Sequence, residues 1–521
     1  MKQSTDSPTN VHGLLTRWAG THPEREALRY EGTKRTWAEL AERVGRCAAA
    51  LRAEGLRPGA RVAVLDLNHP SCLEITLACA QVGTANAVVN FRLAPAEVAY
   101  VVNDSAAEVL FVGPEFVSLV DGLREKLPSV RRVVRIGGEA DEYERWLGGQ
   151  PDHEVHPAGP DDCFLQLYTS GTTGFPKGAM LTHRGMLAHA EHVAAETDAG
   201  PDDSFLVAMP LFHVGGSSYA VVGLYAGARL VMTRVPDPAL LVDVLERERI
   251  SHTFFVPALM AQLARVSGAA ERDYSALRVL CYGASPMPLP VLRACMSIFP
   301  NVFTQVYGMT EACGVVSLLG PAEHADAANP HRLISAGKPI TGVEIEVRDP
   351  VTGVSVPTGE PGEVCLRTAQ LMSGYWNKPE ASASAIGDDG WYRSGDGGHL
   401  DADGYLYITD RIKDMIISGG ENIYPAEIER VLAEHPSVAD LAVIGVPDDR
   451  WGEVPKAIVV AAEGHTVDES ELLAYCRSEL AAYKCPKSVD VVAELPRNPT
   501  GKILKKDLRA PYWADRERRV V

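Results

Sequence analysis

The feature of this 521-residue sequence that most limits its fold is the repeated alternation of short apolar runs with helical patterns. Helical patterns occur at 37–55, 69–83, 238–249 and 289–299, and the first of them opens with a capping box from Thr36 to Glu39. Apolar runs of strand length occur at residues 61–66, 108–112, 205–209, 229–233, 252–256, 278–282 and 302–306. This alternation predicts an α/β fold whose functional loops follow the carboxyl ends of parallel strands.

The pattern changes near residue 410, which we interpret as a domain boundary. The residues beyond it predict a helix with Pro425 in its first turn, strands at 441–446 and 457–461, a helix at 469–483 and a strand near 489–492. About 110 residues is an ordinary domain size. We therefore predict a large N-terminal α/β domain with several sheets over residues 1–410, and a small, mobile C-terminal α+β domain over residues 411–521.

Composition excludes several classes of partner. The formal net charge of −18 and the pI near 5.3 argue against nucleic acid or an anionic membrane as the partner. The ten cysteines are scattered without a C-x-x-C pair, and the first ten residues are polar, which is typical of reduced thiols in a cytoplasmic protein. Composition does not decide whether the chain forms a homodimer.

One uncharged stretch, residues 205–228, is long enough to cross a membrane. Pro210, His213 and several glycines and serines interrupt it, so we interpret it as buried core followed by a pocket loop rather than a transmembrane segment.

The sharpest local motif is a glycine- and hydroxyl-rich loop that follows the apolar run at 164–167. Its glycines allow close approach of an oxyanion, and four hydroxyl groups and one ammonium group can donate to phosphate. A flexible surface turn is the simpler alternative. A P-loop is disfavoured because a glycine, and not a hydroxyl residue, follows the lysine. The motif runs Tyr168-Thr169-Ser170-Gly171-Thr172-Thr173-Gly174-Phe175-Pro176-Lys177-Gly178.

With this loop and further motifs in the same order, the sequence resembles the adenylate-forming superfamily of acyl-CoA synthetases, adenylation domains and luciferases over essentially the full chain. The further motifs are Pro210-Leu211-Phe212-His213, Tyr282-Gly283-Ala284, Tyr307-Gly308-Met309-Thr310-Glu311, Gly337-Lys338-Pro339, Trp391-Tyr392-Arg393-Ser394-Gly395-Asp396, Asp410-Arg411-Ile412-Lys413-Asp414, Gly419-Gly420-Glu421-Asn422 and Pro496-Arg497-Asn498-Pro499-Thr500-Gly501-Lys502.

The resemblance implies an acid–CoA ligase that uses ATP and Mg²⁺ and takes CoA as co-substrate. It implies that Lys502 bridges the substrate carboxylate and the phosphate, that Glu311 holds magnesium and that Thr310 binds phosphate. The simpler interpretation of Lys502 is a solvated basic face. ATP and AMP would contact the phosphate loop (Thr169, Ser170, Gly171, Thr172, Thr173, Gly174 and Lys177), an adenine site (Gly283, Ala284, Tyr307 and Gly308) and a ribose site (Asp396 and Arg411).

For the second half-reaction, the resemblance places a hinge at Lys413 and a pantetheine tunnel at Gly419 and Gly420. Arg92 and Trp451 are candidates for binding the nucleotide end of CoA, although Trp451 is also explained as a packed loop aromatic.

The acyl pocket would be formed by His213, Val214, Gly215 and Cys313, with His213 at its mouth and in a catalytic role. Amino-acid-activating relatives usually have Asp where His213 stands, so an amino acid is disfavoured. The small, apolar neighbours predict a hydrophobic carboxylate. We favour a fatty acid, with an aromatic, benzoate-like acid or a carrier-protein acceptor as alternatives.

Overall fold

The computed structural model describes residues 8–156, 159–169, 176–411, 414–418, 421–448, 450–480, 482, 484–497 and 502–514. Strands within these ranges are β1 Glu26–Tyr30, β2 Thr33–Thr36, β3 Arg61–Leu65, β4 Ala85–Val88, β5 Val109–Val112, β6 Arg132–Arg135, β7 Cys163–Thr169, β8 Lys177–Thr182, β9 Ser204–Val207, β10 Arg229–Met232, β11 His252–Phe255, β12 Val279–Gly283, β13 Phe303–Met309, β14 Gly314–Leu319, β15 Lys338–Pro339, β16 Val343–Arg348, β17 Gly362–Thr368, β18 Tyr392–Leu400, β19 Leu406–Arg411, β20 Ile416–Ser418, β21 Glu421–Ile423, β22 Val438–Asp448, β23 Gly452–Ala461 and β24 Ser488–Val491.

The helices begin after recognisable caps, such as the predicted capping box of Thr36 and Glu39. They are α1 His12–Thr21, α2 Trp37–Ala53, α3 Pro70–Val82, α4 Pro95–Asp104, α5 Val117–Leu123, α6 Tyr143–Trp146, α7 His183–Glu196, α8 Val214–Ala226, α9 Pro238–Arg247, α10 Pro257–Leu263, α11 Leu289–Met296, α12 Pro321–His324, α13 Pro379–Ala385, α14 Pro425–Leu432, α15 Glu469–Glu479 and α16 Lys505–Arg509.

Two large sheets form the body of the N-terminal part. One has nine strands in the order β15-β14-β13-β12-β11-β9-β10-β1-β2, and β9 to β13 in it pair in parallel. The chain passes from β9 to β10 on one side and returns to β11 on the other side of β9. The other sheet has six strands in the order β6-β5-β3-β4-β7-β8. Reversals of this kind open a crevice at the carboxyl ends of the strands, where ligands bind in open α/β sheets.

Two smaller sheets follow along the chain. An antiparallel sheet has the order β16-β17-β18-β19, and the last sheet has the order β21-β20-β23-β22 with β24 paired to β23. The mixed α/β architecture with several sheets confirms the predicted fold class. The boundary predicted at 410 to 413 falls partly outside the described residues and stays a prediction.

The main core lies between the two large sheets. Helix α3 is buried at every residue and packs with α2, while α7 packs with α8. The last sheet has apolar clusters of its own, centred on residues such as Ile428, Val443 and Leu472. The packing thus separates a large body from a small unit that carries α14 to α16.

The prediction for residues 205–228 is partly wrong. The stretch is buried as expected, but residues 214–226 form helix α8, closed by Gly227 at a φ of 73°, and not a pocket loop. Within the described part of the chain, no helix is long and apolar enough to cross a membrane.

Candidate active site

The two ends of the phosphate loop are held together by a strand pair. In the antiparallel β7–β8 pair, Thr169 lies opposite Lys177. Ser170, Gly171, Thr172, Thr173 and Gly174 lie outside the described residues, so their predicted role stays a prediction. The register fixes where the loop leaves the sheet and where it returns.

Lys177 and Glu311, which the sequence assigns to phosphate and metal, meet at a residue that sequence reasoning missed. The hydroxyl group of Tyr375 donates a hydrogen bond of 2.8 Å to Oε1 of Glu311. The ammonium group of Lys177 lies 5.0 Å from the centre of the same ring, within the range of a cation–π contact. No signal in the spacing of the sequence singles out Tyr375, since the contact joins three distant segments.

Thr310 and Glu311 lie in a 3₁₀ turn, Thr310–Ala312, between β13 and β14. The turn is tight, because a Cβ atom on Gly308 would lie 1.9 Å from the carbonyl oxygen of Gly314. Among the described residues there is no cluster of three or more potential metal ligands. Mg²⁺ commonly binds one or two carboxylates together with nucleotide phosphates and water, so the single carboxylate of Glu311 fits such an ion.

The predicted adenine and ribose residues come together. Tyr307 donates a hydrogen bond of 2.7 Å to Oδ2 of Asp396. The backbone of Asp396 is held by Ser394, whose hydroxyl accepts the Asp396 amide at 3.0 Å and donates to the carbonyl of Val364 at 2.6 Å. Arg411 lies opposite Asp396 in the β18–β19 pair. The arrangement places an aromatic ring and a carboxylate together, as a nucleoside site requires.

An apolar cavity of about 90 Å³ lies between the nine-stranded sheet and the helices α7 and α8. Val214 and Gly215, which are predicted for the acyl pocket, line this cavity, and so do Ala284 and Gly308 from the adenine motifs. Gly283 ends β12 beside Ala284. Cys313 is not among the lining residues. It has a φ of 56°, and its thiol packs towards Gly185 of α7.

The cavity wall also carries polar groups that the sequence did not predict. The hydroxyl oxygen of Tyr219 and Nδ1 of His189 are buried, and neither has a hydrogen-bond partner among the residues described. Nε2 of His189 accepts the Val315 amide at 3.0 Å, so Nδ1 carries the proton of the neutral ring. Burial lowers the pKa of His189 to about 3 and raises that of Tyr219. Both groups are therefore neutral.

His213 caps helix α8, whose first residues line the cavity, and two cations act on it electrostatically. Burial, together with the positive charges of Lys502 and Arg92, lowers the pKa of His213 to about 3, so its imidazole is neutral at physiological pH. Its Nε2 atom is buried and has no hydrogen-bond partner within the described ranges. The charges of Lys502, in the C-terminal unit, and of Arg92 thus act on the residue predicted at the mouth of the acyl pocket.

Asn68 supports the segment that leads to His213, a role that sequence reasoning also missed. The buried side chain accepts the Leu211 amide at 3.0 Å and donates to the carbonyl groups of Met209 at 3.1 Å and Ala208 at 3.4 Å. Asn68 follows β3 in the six-stranded sheet, whereas these partners follow β9 in the nine-stranded sheet. One side chain therefore joins the segment after β3 of one sheet to the segment after β9 of the other.

Of the remaining residues predicted to bind CoA, the structure describes only Trp451. Trp451 is 43% exposed, precedes β23 and lies under the guanidinium group of Arg450 at 4.6 Å. Lys413, Gly419 and Gly420 lie outside the described residues, so the predicted hinge and tunnel stay predictions.

Comparison with known proteins gives a consistent result. Residues 15–376 match the family model described as AMP-binding enzyme, and residues 427–502 match the AMP-binding enzyme C-terminal domain. A feruloyl-CoA synthase from Amycolatopsis sp is 42% identical over 498 residues, covering 95% of this chain and 98% of that protein. The fatty acid–acyl-carrier-protein ligase ScoC from Streptomyces coeruleorubidus is 38% identical over 506 residues, covering 96% and 95%. The crystal structure of ATP-bound MatB from Rhodopseudomonas palustris superposes with a TM-score of 0.88 at 30% identity, covering 97% of this chain and 99% of that one.

Proposed function

The chain belongs to the AMP-binding enzyme family and is an ATP-dependent acid–CoA ligase, and on that premise we propose that its acid is aromatic and carries a polar ring substituent. The acid carboxylate attacks the α-phosphorus of ATP, the bond to the β-phosphate breaks and pyrophosphate leaves. The CoA thiolate then attacks the carbonyl carbon of the acyl-adenylate and expels AMP.

The observation that carries the assignment of the site is that the positive charge of Lys502 acts on His213 and helps to lower the pKa of its imidazole. A cation beside the mouth of an apolar cavity can hold a carboxylate whose hydrophobic part lies inside. The neutral imidazole of His213 adds no charge that would oppose Lys502. Lys177 with Glu311, and Tyr307 with Asp396, would then hold the triphosphate with its magnesium and the nucleoside of ATP.

Two observations support the aromatic acid. The relative that is 42% identical is named a feruloyl-CoA synthase. The cavity is mostly apolar, yet Tyr219 and His189, which line it, carry buried polar atoms that have no hydrogen-bond partner among the residues the structure describes. Such atoms each cost about 1–3 kcal/mol, which a polar substituent on the substrate can recover and an alkyl chain cannot.

A fatty acid, which the sequence alone favours, is the second candidate. The apolar lining and the similarity to ScoC, a fatty acid–acyl-carrier-protein ligase, support a fatty acid. Because the name of this relative specifies a carrier protein, a carrier protein is an alternative acceptor to free CoA. Competition among ferulate, benzoate, hexanoate and dodecanoate with free CoA as sole acceptor decides between the candidates. Preference for dodecanoate would overturn the aromatic assignment, and failure to acylate free CoA would favour a carrier.

The test of the site is the Lys502→Ala variant. We expect acid-dependent pyrophosphate release to fall about 10²- to 10³-fold, because a charge that stabilises the transition state is lost. Thioester formation from synthetic acyl-adenylate and CoA should stay within about threefold, since Lys502 serves only the first half-reaction. Lys506→Ala, which removes an exposed lysine of α16, is the matched control. Normal pyrophosphate release by Lys502→Ala would contradict the assignment.

A further inference from the structure

Tyr375 is held rigidly in the loop between β17 and α13. Its backbone forms an isolated bridge with Ala179 of β8, and the amide of the next residue, Trp376, donates to the carbonyl of Gly178 at 2.8 Å. Tyr375 is buried, with 8% of the residue exposed. Tyr375 is thus attached to the strand that begins at Lys177.

Two contacts of this side chain act on different groups. Its hydroxyl holds Oε1 of Glu311 at 2.8 Å, and its ring faces Nζ of Lys177 at 5.0 Å. With Oε1 oriented by a donor, rotation of the carboxylate is restricted and Oε2 stays available to another ligand. The ring likewise restricts a flexible lysine chain that would otherwise sample many rotamers.

We propose that Tyr375 is a positioning residue that aligns the carboxylate of Glu311 and the ammonium group of Lys177 on the same magnesium–triphosphate group. The inference rests on the proposed function, because it takes Glu311 as the metal ligand and Lys177 as a phosphate ligand. Tyr375 couples the 3₁₀ turn after β13 to the strand after the phosphate loop.

The decisive variant is Tyr375→Phe, which removes the hydroxyl and keeps the ring. We expect the Mg²⁺ concentration for half-maximal pyrophosphate release to rise about tenfold, the effect typical of losing a group that orients a metal ligand. The KM for the acid should stay within about twofold, because the cavity does not involve Tyr375. Tyr375→Leu, which also removes the ring beside Lys177, should in addition raise the KM for ATP.

The chain offers a matched control in Tyr405. Its hydroxyl donates to Oε1 of Glu323 at 3.2 Å, and its ring lies 4.7 Å from the guanidinium group of Arg332 and 4.5 Å from Nζ of Lys338. Tyr405, like Tyr375, donates its hydroxyl to a glutamate and has cations near its ring. It precedes β19, at the opposite end of that strand from Arg411. Tyr405→Phe should keep the wild-type Mg²⁺ dependence.

Binding of Mn²⁺ with ATP, followed by electron paramagnetic resonance, supplies a readout without turnover. Tyr375→Phe should bind the Mn²⁺–ATP complex about tenfold more weakly than the wild type or Tyr405→Phe. Wild-type metal dependence and wild-type Mn²⁺–ATP affinity in Tyr375→Phe would overturn the inference. A wild-type enzyme that binds Mn²⁺–ATP but releases no pyrophosphate with any acid would instead overturn the proposed function.

Discussion

At the scale of single residues, one hydroxyl group distinguishes Tyr219 from the phenylalanines beside it. Its ring lies 5.1 Å from that of Phe205 and 6.4 Å from that of Phe254. If the hydroxyl recognises a ring substituent, Tyr219→Phe should lower kcat/KM for ferulate about tenfold and leave that for cinnamate unchanged. Steady-state kinetics with both acids measures the difference. An equal loss of kcat/KM for both acids would indicate that Tyr219 has only a packing role. The control is Tyr274→Phe, because the hydroxyl of Tyr274 donates to the carbonyl of Ala269 at 2.9 Å, outside the cavity.

What the sequence predicts about residues depends on whether their chemistry lies in a local motif. Asp396 and Glu311 are found because their neighbours in sequence form recognisable motifs. Tyr375 is not found, because it acts on Glu311 from 64 residues away and only the packed chain brings them together. The sequence does not predict the two polar groups that line the cavity for the same reason, since His189 and Tyr219 lie in different helices.

At the scale of elements, the turn after β3 and the segment after β9 are joined by Asn68. Asn68→Ala removes two donated hydrogen bonds and one accepted hydrogen bond, leaving buried backbone groups unpaired. We expect the KM for the acid to rise about fivefold while the KM for ATP changes less than twofold, because the segment ends at His213. Asn301→Ala, which removes an exposed bond to the carbonyl of Pro321, should change neither constant. Equal increases in both KM values would contradict this role of Asn68.

Elements with a strong pattern are predicted well, and α8 shows why others are not. The capping box of α2 and the apolar runs of β3 and β11 appear close to their predicted positions. Helix α8 has no charged residue and is buried on most sides, so it lacks the alternation of polar and apolar faces that reveals a helix. Its glycines suggest a loop, but Gly215 and Gly216 are required by close packing, with Phe254 and the Pro210 carbonyl as neighbours.

At the scale of the whole molecule, the acidic net charge and the cationic site are compatible because the cations are local. The net charge of −18 is spread over the chain, whereas Lys502 and Arg92 both act on His213. An acidic surface disfavours nucleic acid, but it does not prevent a few cations and a magnesium ion from binding a nucleotide. The large body and the C-terminal unit both contribute to this group.

The pH dependence of stability follows from histidines buried in the large body. Burial lowers the pKa of His12 and of His183 to about 4 and that of His189 to about 3. These folded values lie below that of an exposed histidine, so the unfolded chain takes up protons first as the pH falls. Their contribution to stability is therefore complete above about pH 6.5 and declines below it, by about 2 kcal/mol per histidine at pH 5.

His189→Gln tests this assignment, because the glutamine carbonyl can replace Nε2 as acceptor for the Val315 amide and does not titrate. We expect the fall in Tm between pH 7.5 and pH 5.0 to be about 2 °C smaller in His189→Gln than in the wild type, measured by differential scanning calorimetry. His465→Gln, at an exposed position, should show the wild-type fall. An unchanged fall in His189→Gln would mean that His189 is protonated in the folded protein, and the neutral donor assigned to the cavity wall would then be wrong.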